Sequence, residues 1–164
     1  MTFQKDFARV QKIERAICHR FGFENVNMPT FDGIKIGRGS NFKTLEIKSH
    51  MQKTSSGYKI ELIDPMTKNV NPPGKGSDFV AFTRKLENHL IVSLWSSEMF
   101  RMRVLSNTAR ALNNQSGWSL MLAGDRGDCL CMKVAHEIIE DSRHADIVEM
   151  RPLSWYMEQI NETK

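Results

Sequence analysis

Cysteine is scarce in this chain, with Cys18, Cys129 and Cys131 the only three in 164 residues. An odd and scattered set excludes a disulfide framework and points to reduced thiols in a cytoplasm. Long apolar runs are missing as well. No stretch approaches the roughly 20 residues that span a bilayer. The opening "MTFQKDFARVQKIER" alternates charge with apolar residues, where a secretory signal needs an unbroken apolar core. A cytoplasmic protein with no membrane partner is therefore expected. There is no internal repeat and no low-complexity segment.

Several common chemistries also lack their signatures. No Walker lysine-serine pattern follows Gly37, Gly39, Gly74 or Gly76, which fit turns. His19, His50 and His89 fall in no recognisable Ser-His-Asp relay. Cys129 and Cys131, with His136 and His144 beyond, miss the usual zinc-ligand spacing of about two to four residues. Core packing suits the two cysteines better.

What is present describes a folded protein. Hydrophobic residues make up 40% and charged residues 26%, in a length that suits one domain, 1–164, with a real core. The net charge of +4 is modest support for a polyanionic partner.

Phe3, Phe7, Val10, Ile13, Ile17 and Phe21 recur at helical steps, and Gly22 stands where that helix should stop. Thr30 to Ile36 and Phe42 to Ser49 read as strands around the turn-rich "GRGSN". A short strand is expected at Tyr58 to Ile63, then a long loop rich in Asn, Pro, Gly and Lys. Asp78 is placed as the N-cap of a helix carrying Phe79, Phe82 and Leu86. "LIVSLW" reads as a buried strand and "FRMRVL" as an alternating one. "SNTARALNNQ" opens with helix-capping residues, and "WSLMLAGDRGDCLCMKV" reads as a second hairpin. A helix over "AHEIIEDSRH", a strand over "DIVEM" and a terminal helix over "LSWYMEQI" complete the chain. The class expected is α/β or α+β, with a central mixed sheet flanked by helices.

The first hairpin carries the chemistry. Centred on Gly39, it pairs residues whose numbers sum to 78, so Ile34 faces Thr44, Ile36 faces Phe42 and Asp32 faces Glu46. Like charges at directly opposed strand positions repel, and Lys48 shares the face of Glu46 because strand side chains alternate. A divalent cation relieves the repulsion, and Mg²⁺ favours one or two carboxylates with water and phosphate oxygens. The helical phase of about 100° per residue brings Glu14 into the apolar stripe, where an unpaired charge is unfavourable. A share in the metal site would explain it. An ion pair for Glu14, and neutralisation of Asp32 and Glu46 by Lys43 or Lys48, are the alternatives without metal.

"PTFDG" followed by "LEIKS" resembles the active-site signature of the PD-(D/E)XK nuclease superfamily. Thr30 and Phe31 separate Pro29 from Asp32, so the Pro-Asp pair itself is missing. The order of elements is most similar to small type II restriction endonucleases over about residues 3–105, while 106–164 has no assigned role. In those enzymes a loop, a helix resembling "DFVAFTRKLEN" and two strands follow the motif. The resemblance implies a restriction-endonuclease-like core. It also implies Mg²⁺, with Mn²⁺ able to substitute, held by Asp32, Glu46 and the Ile47 carbonyl, and Lys48 assisting the attacking water. Glu14 matches a glutamate frequent on the family's preceding helix.

Arg38, Asn41, Lys43, Lys68, Asn69, Asn71 and Lys75 cluster in the hairpin turn and the long loop. They are candidates for contacts to phosphates and base edges of double-stranded DNA. Cutting both strands of a symmetric site implies a homodimer. The expected activity is restriction-type DNA cleavage. A junction or repair nuclease and a non-catalytic basic binding module are the alternatives.

Overall fold

Helix α1 (Phe3–Arg20) follows directly from the apolar stripe: Ile13, Ala16, Ile17 and Cys18 are buried, while Gln11, Lys12, Arg15 and His19 face solvent. The fold is that of a computed structural model, which describes residues 3–26, 28, 31–37, 41–48, 52–54, 57–61, 74, 76–105, 131–134, 140 and 143–161. The helix ends with paired hydrogen bonds, Gly22 N–H to the His19 carbonyl (3.1 Å) and Phe23 N–H to that of Cys18 (2.7 Å). This is the reciprocal pattern that satisfies the last carbonyls of a helix.

The strands among the described residues are β1 (Glu24–Asn25), β2 (Gly33–Ile36), β3 (Phe42–Lys48), β4 (Gln52–Thr54), β5 (Gly57–Glu61), β6 (Phe79–Leu86), β7 (His89–Ser96), β8 (Cys131–Val134) and β9 (Ile147–Pro152). Six form a mixed sheet in the order β1-β2-β3-β6-β7-β9, and β4-β5-β8 form a second, three-stranded sheet. Within the larger sheet β3 and β6 run parallel; the other neighbours are antiparallel. Helices α2 (Ser97–Phe100) and α3 (Leu153–Asn161) complete an α+β architecture.

One face of the larger sheet packs on α1 and α3, where Ile13, Ile17, Leu45, Ile47, Val92 and Tyr156 belong to one core cluster. The ring of Phe100, at the end of α2, lies 5.0 Å from that of Phe82 and 5.6 Å from that of Trp95. A charged corner closes the α1 side. The Arg20 guanidinium donates to both Glu149 oxygens at 3.0 and 3.1 Å, and the Tyr156 hydroxyl donates to the same carboxylate at 3.0 Å. Burial opposes ionisation of Glu149, but these donors outweigh it and hold its pKa below the ordinary carboxylate value.

Two expected elements are different. Asp78 to Leu86 is not a helix: Phe79–Leu86 is the central strand β6, paired with β3 on one side and β7 on the other. The spacing of Phe79, Phe82 and Leu86 mimics a helical stripe. However, Val80, Ala81, Phe82 and Thr83 are all buried in succession, as in a strand covered on both faces. "FRMRVL" is not a strand either. Ser96 caps α2 by accepting from the Met99 N–H at 3.2 Å, and Arg101–Leu105 continues as a π-helical turn. Arg101, Met102 and Arg103 are all exposed, so the expected alternation does not occur.

The strands at Ile34, Leu45, Leu90 to Trp95 and Ile147, and the terminal helix, stand where the sequence places them. The expected strand at Tyr58 to Ile63 is Gly57–Glu61. The helix over "SNTARALNNQ" and most of the second hairpin and of 135–144 lie outside the described residues, as do Cys129 and His136. No helix among the described residues is long and apolar enough to cross a membrane.

Candidate active site

The hairpin register is the one that sums to 78: Gly33 pairs with Leu45, Ile34 with Thr44, Lys35 with Lys43 and Ile36 with Phe42. Asp32 lies one residue beyond the paired segment, in a bend, so it and Glu46 are not a ladder pair. Its backbone is held firmly. The Asp32 N–H donates to the Leu45 carbonyl at 2.7 Å, and the Asp32 carbonyl accepts from Val26 N–H at 2.8 Å and from Asn25 Nδ2 at 3.0 Å. The side chain then turns back to β3, where Oδ2 accepts the Ile47 N–H at 2.7 Å.

Close packing brings α1 to this point. A Cβ on Gly33 would stand 2.8 Å from Cys18 Sγ and 3.0 Å from Phe23 Cβ, so only glycine lets helix and strand approach this closely. Glu14 lies one helical turn before Cys18; its charge is felt at Cys18, and it feels that of Asp32. Glu14 is half-buried at the edge of the core, not on the polar face of the helix.

Glu46 and Lys48 share one face of β3, as alternation requires. Lys48 Nζ lies 2.9 Å from Glu46 Oε1, and Glu46 is only 6% exposed. The other oxygen, Oε2, accepts the Gly74 N–H at 2.9 Å.

The electrostatics register crowding of negative charge. Burial, then repulsion from Asp32, pushes the Glu14 carboxyl from 4.5 up to about 7. The Asp32 pKa is raised: burial raises it most, the Ile47 amide opposes this, Glu46 adds repulsion and Lys48 offsets part of that. Burial pushes the Cys18 thiol up to about 12, so it is an un-ionised core group. Carboxylates held close in a low dielectric strain toward protonation or toward a cation.

The residues fit a hard divalent cation by their chemistry. Asp32 and Glu46 supply carboxylate oxygens, and Asp32 senses the charge of Glu46. On an extended strand the N–H and C=O of one residue point to the same neighbour. The Ile47 carbonyl therefore points to the side from which Asp32 reaches the Ile47 amide. Oxygen ligands of this kind suit Mg²⁺. Among the described residues, no three His, Cys, Asp or Glu side chains form a ready-made metal cluster. As it stands, Glu46 is satisfied by Lys48 and Gly74, the metal-free alternative that the sequence left open.

Of the expected DNA contacts, Asn41 and Lys43 are exposed on the hairpin, while Arg38, Lys68, Asn69, Asn71 and Lys75 lie outside the described residues. Two contributors to the site escape sequence reasoning. Gly74 acts only through its backbone N–H. Asp78 bridges to β3, where its carboxylate accepts from Thr44 N–H at 2.9 Å and from the Thr44 hydroxyl at 3.3 Å. Neither belongs to a recognisable spacing, because both reach β3 across more than 25 intervening residues.

Comparison of the chain with protein-family models, curated proteins and solved structures finds no match to any of them.

Proposed function

We propose that this chain is a Mg²⁺-dependent endonuclease that hydrolyses DNA phosphodiesters, built on a PD-(D/E)XK-type core and acting as a homodimer on duplex DNA. One observation carries the reading: the Asp32 carboxylate is held on the amide of Ile47, between Glu46 and Lys48, which themselves pair at 2.9 Å. Acid, acid and ammonium are gathered at one end of a hairpin, as phosphodiester hydrolysis requires. When bound, Mg²⁺ would supply charge neutralisation at phosphate and a more acidic water.

The chain's own groups divide the remaining work. Asp32 and Glu46 offer the oxygens, each fixed by a backbone amide. Lys48 is placed to orient an attacking water or to meet negative charge developing on phosphate. Glu14, with a pKa near neutrality, is suited to hold or release a proton beside Asp32.

The test is plasmid DNA incubated with Mg²⁺ or with EDTA. Discrete fragments in Mg²⁺ alone are expected of a restriction-type enzyme, and preference for branched DNA would mark a junction or repair nuclease. The Lys48–Glu46 pair favours one rival, a non-catalytic basic module, since it neutralises the carboxylate without a cation. That module would bind DNA equally in EDTA and leave the plasmid intact.

Binding is expected to run along the hairpin. Lys43 is exposed there, beside Asn41. Lys43→Ala should weaken binding severalfold at low salt and lower the slope of log affinity against log salt by about one unit, the loss of one phosphate contact. Titrations at several salt concentrations check this. An unchanged slope would remove Lys43 from the interface.

A further inference from the structure

We infer that Gly74 is a positioning residue for Glu46, and that glycine is required there so that its amide can reach the carboxylate. Three observations converge. The Gly74 N–H donates to Glu46 Oε2 at 2.9 Å in a buried setting. Gly74 has φ +82°, a left-handed conformation that side chains disfavour. A Cβ at this position would lie 2.8 Å from Ser97 Oγ, 3.0 Å from Ser97 Cβ and 3.4 Å from its Cα.

Ser97 does not yield easily. It is 4% exposed, and its N–H donates to the Asp78 carbonyl at 2.8 Å, which fixes the Cα and Cβ that a side chain at 74 would meet. Asp78 is itself tied to Thr44, two residues before Glu46 on β3. The contacts close a ring: from β3 through Thr44, Asp78 and Ser97 to Gly74, and back to β3 at Glu46. A side chain at 74 would push against a fixed wall and draw the amide away from Glu46.

Glu46 is then shared between two donors with separate duties. Gly74 fixes Oε2, so that Oε1 meets Lys48 in one orientation. Losing the amide frees the carboxylate to rotate, and misplacement by about 1 Å can lower a rate about 10²-fold.

The kinetic consequence rests on the nuclease reading, but the contact does not. In the full-length protein, the Gly74 amide should exchange hydrogen at least tenfold faster in Glu46→Ala than in the wild type. Lys48→Ala, which removes the other partner, should leave it protected. Equal exchange in the wild type and Glu46→Ala would overturn the inference whether or not DNA is cut. With cleavage established, Gly74→Ala should lower kcat about 10²-fold, leave KM for DNA within threefold, and raise the Mg²⁺ concentration for half-maximal rate. Gly74→Ala combined with Ser97→Gly, which removes the blocking Oγ and Cβ, should recover part of the loss. A wild-type rate and Mg²⁺ dependence in Gly74→Ala would also overturn it. Failure of the wild type to cut would remove the nuclease reading and leave the exchange result to decide the contact.

Discussion

Asp32→Asn is expected to abolish DNA cleavage, by about 10³-fold or more, while leaving the fold as stable as before or slightly more stable. The substitution separates two roles that alanine would remove together. The asparagine carbonyl oxygen can still accept the Ile47 N–H that Oδ2 accepts at 2.7 Å. The backbone ties of residue 32 to Leu45, Val26 and Asn25 do not involve the side chain. What disappears is the negative charge. In the folded protein that charge is unfavourable: burial and Glu46 raise the Asp32 pKa, and the Ile47 amide and Lys48 only partly compensate. A neutral isostere escapes that penalty.

Loss of activity with a retained or raised melting temperature would therefore identify Asp32 as a chemical group and not a structural one. The magnitude follows from what the charge would do. Removing one preorganised electrostatic group commonly lowers a rate 10²–10³-fold, and losing a carboxylate that also holds the cation should exceed this. Plasmid cleavage, measured beside thermal unfolding, checks both halves. Cleavage within tenfold of wild type in Asp32→Asn would rule the site out.

The hairpin was legible in the sequence because its information is local. Alternating apolar residues set the strands, the turn sets the register, and strand alternation puts Glu46 and Lys48 on one face. Glu14 was legible from helical phase alone. The sequence did not reveal how Asp32 is held: its carboxylate bonds to the Ile47 amide, a side-chain contact that no periodicity encodes.

The pairing of β3 with β6 was hidden for a related reason. The two strands are parallel, and 30 residues, 49–78, separate them. Parallel neighbours need a long crossover, so no turn signal marks the pairing. A buried central strand also loses the alternation that distinguishes it from a helix. Phe79 to Leu86 is such a segment, and its apolar spacing pointed to the wrong element. The departure bears on family likeness too. The helix expected after the Glu-X-Lys segment is the strand β6 and "FRMRVL" is not a strand, so beyond the hairpin and Glu14 only the strand at Leu90 to Trp95 agrees with the expected order.

Glu14→Gln should stabilise the protein at pH 8 and leave its stability nearly unchanged at pH 5. The Glu14 carboxyl is pushed from 4.5 to about 7 by burial and by Asp32. In the unfolded chain it ionises near 4.5, while in the folded protein it keeps its proton until pH approaches 7. The unfolded state thus sheds protons first as pH rises. Folding stability falls between these values and stays reduced above them. A shift of this size corresponds to roughly 3 kcal/mol. Solvent at this half-buried position reduces it to about 1–2 kcal/mol. For a chain of this length that is about 3–8 °C in melting temperature. Glutamine never ionises, so the variant keeps the stability that the wild type loses. The same proton should appear in catalysis: cleavage by the wild type should change with an apparent pKa near 7, and that limb should flatten in Glu14→Gln. Melting curves at pH 5 and pH 8, with a pH–rate profile, measure both effects. A stability gain of equal size at the two pH values would show that the glutamate is not strained by burial. A protein that holds an acid in an unfavourable place at working pH, and is destabilised by it, behaves as active sites do.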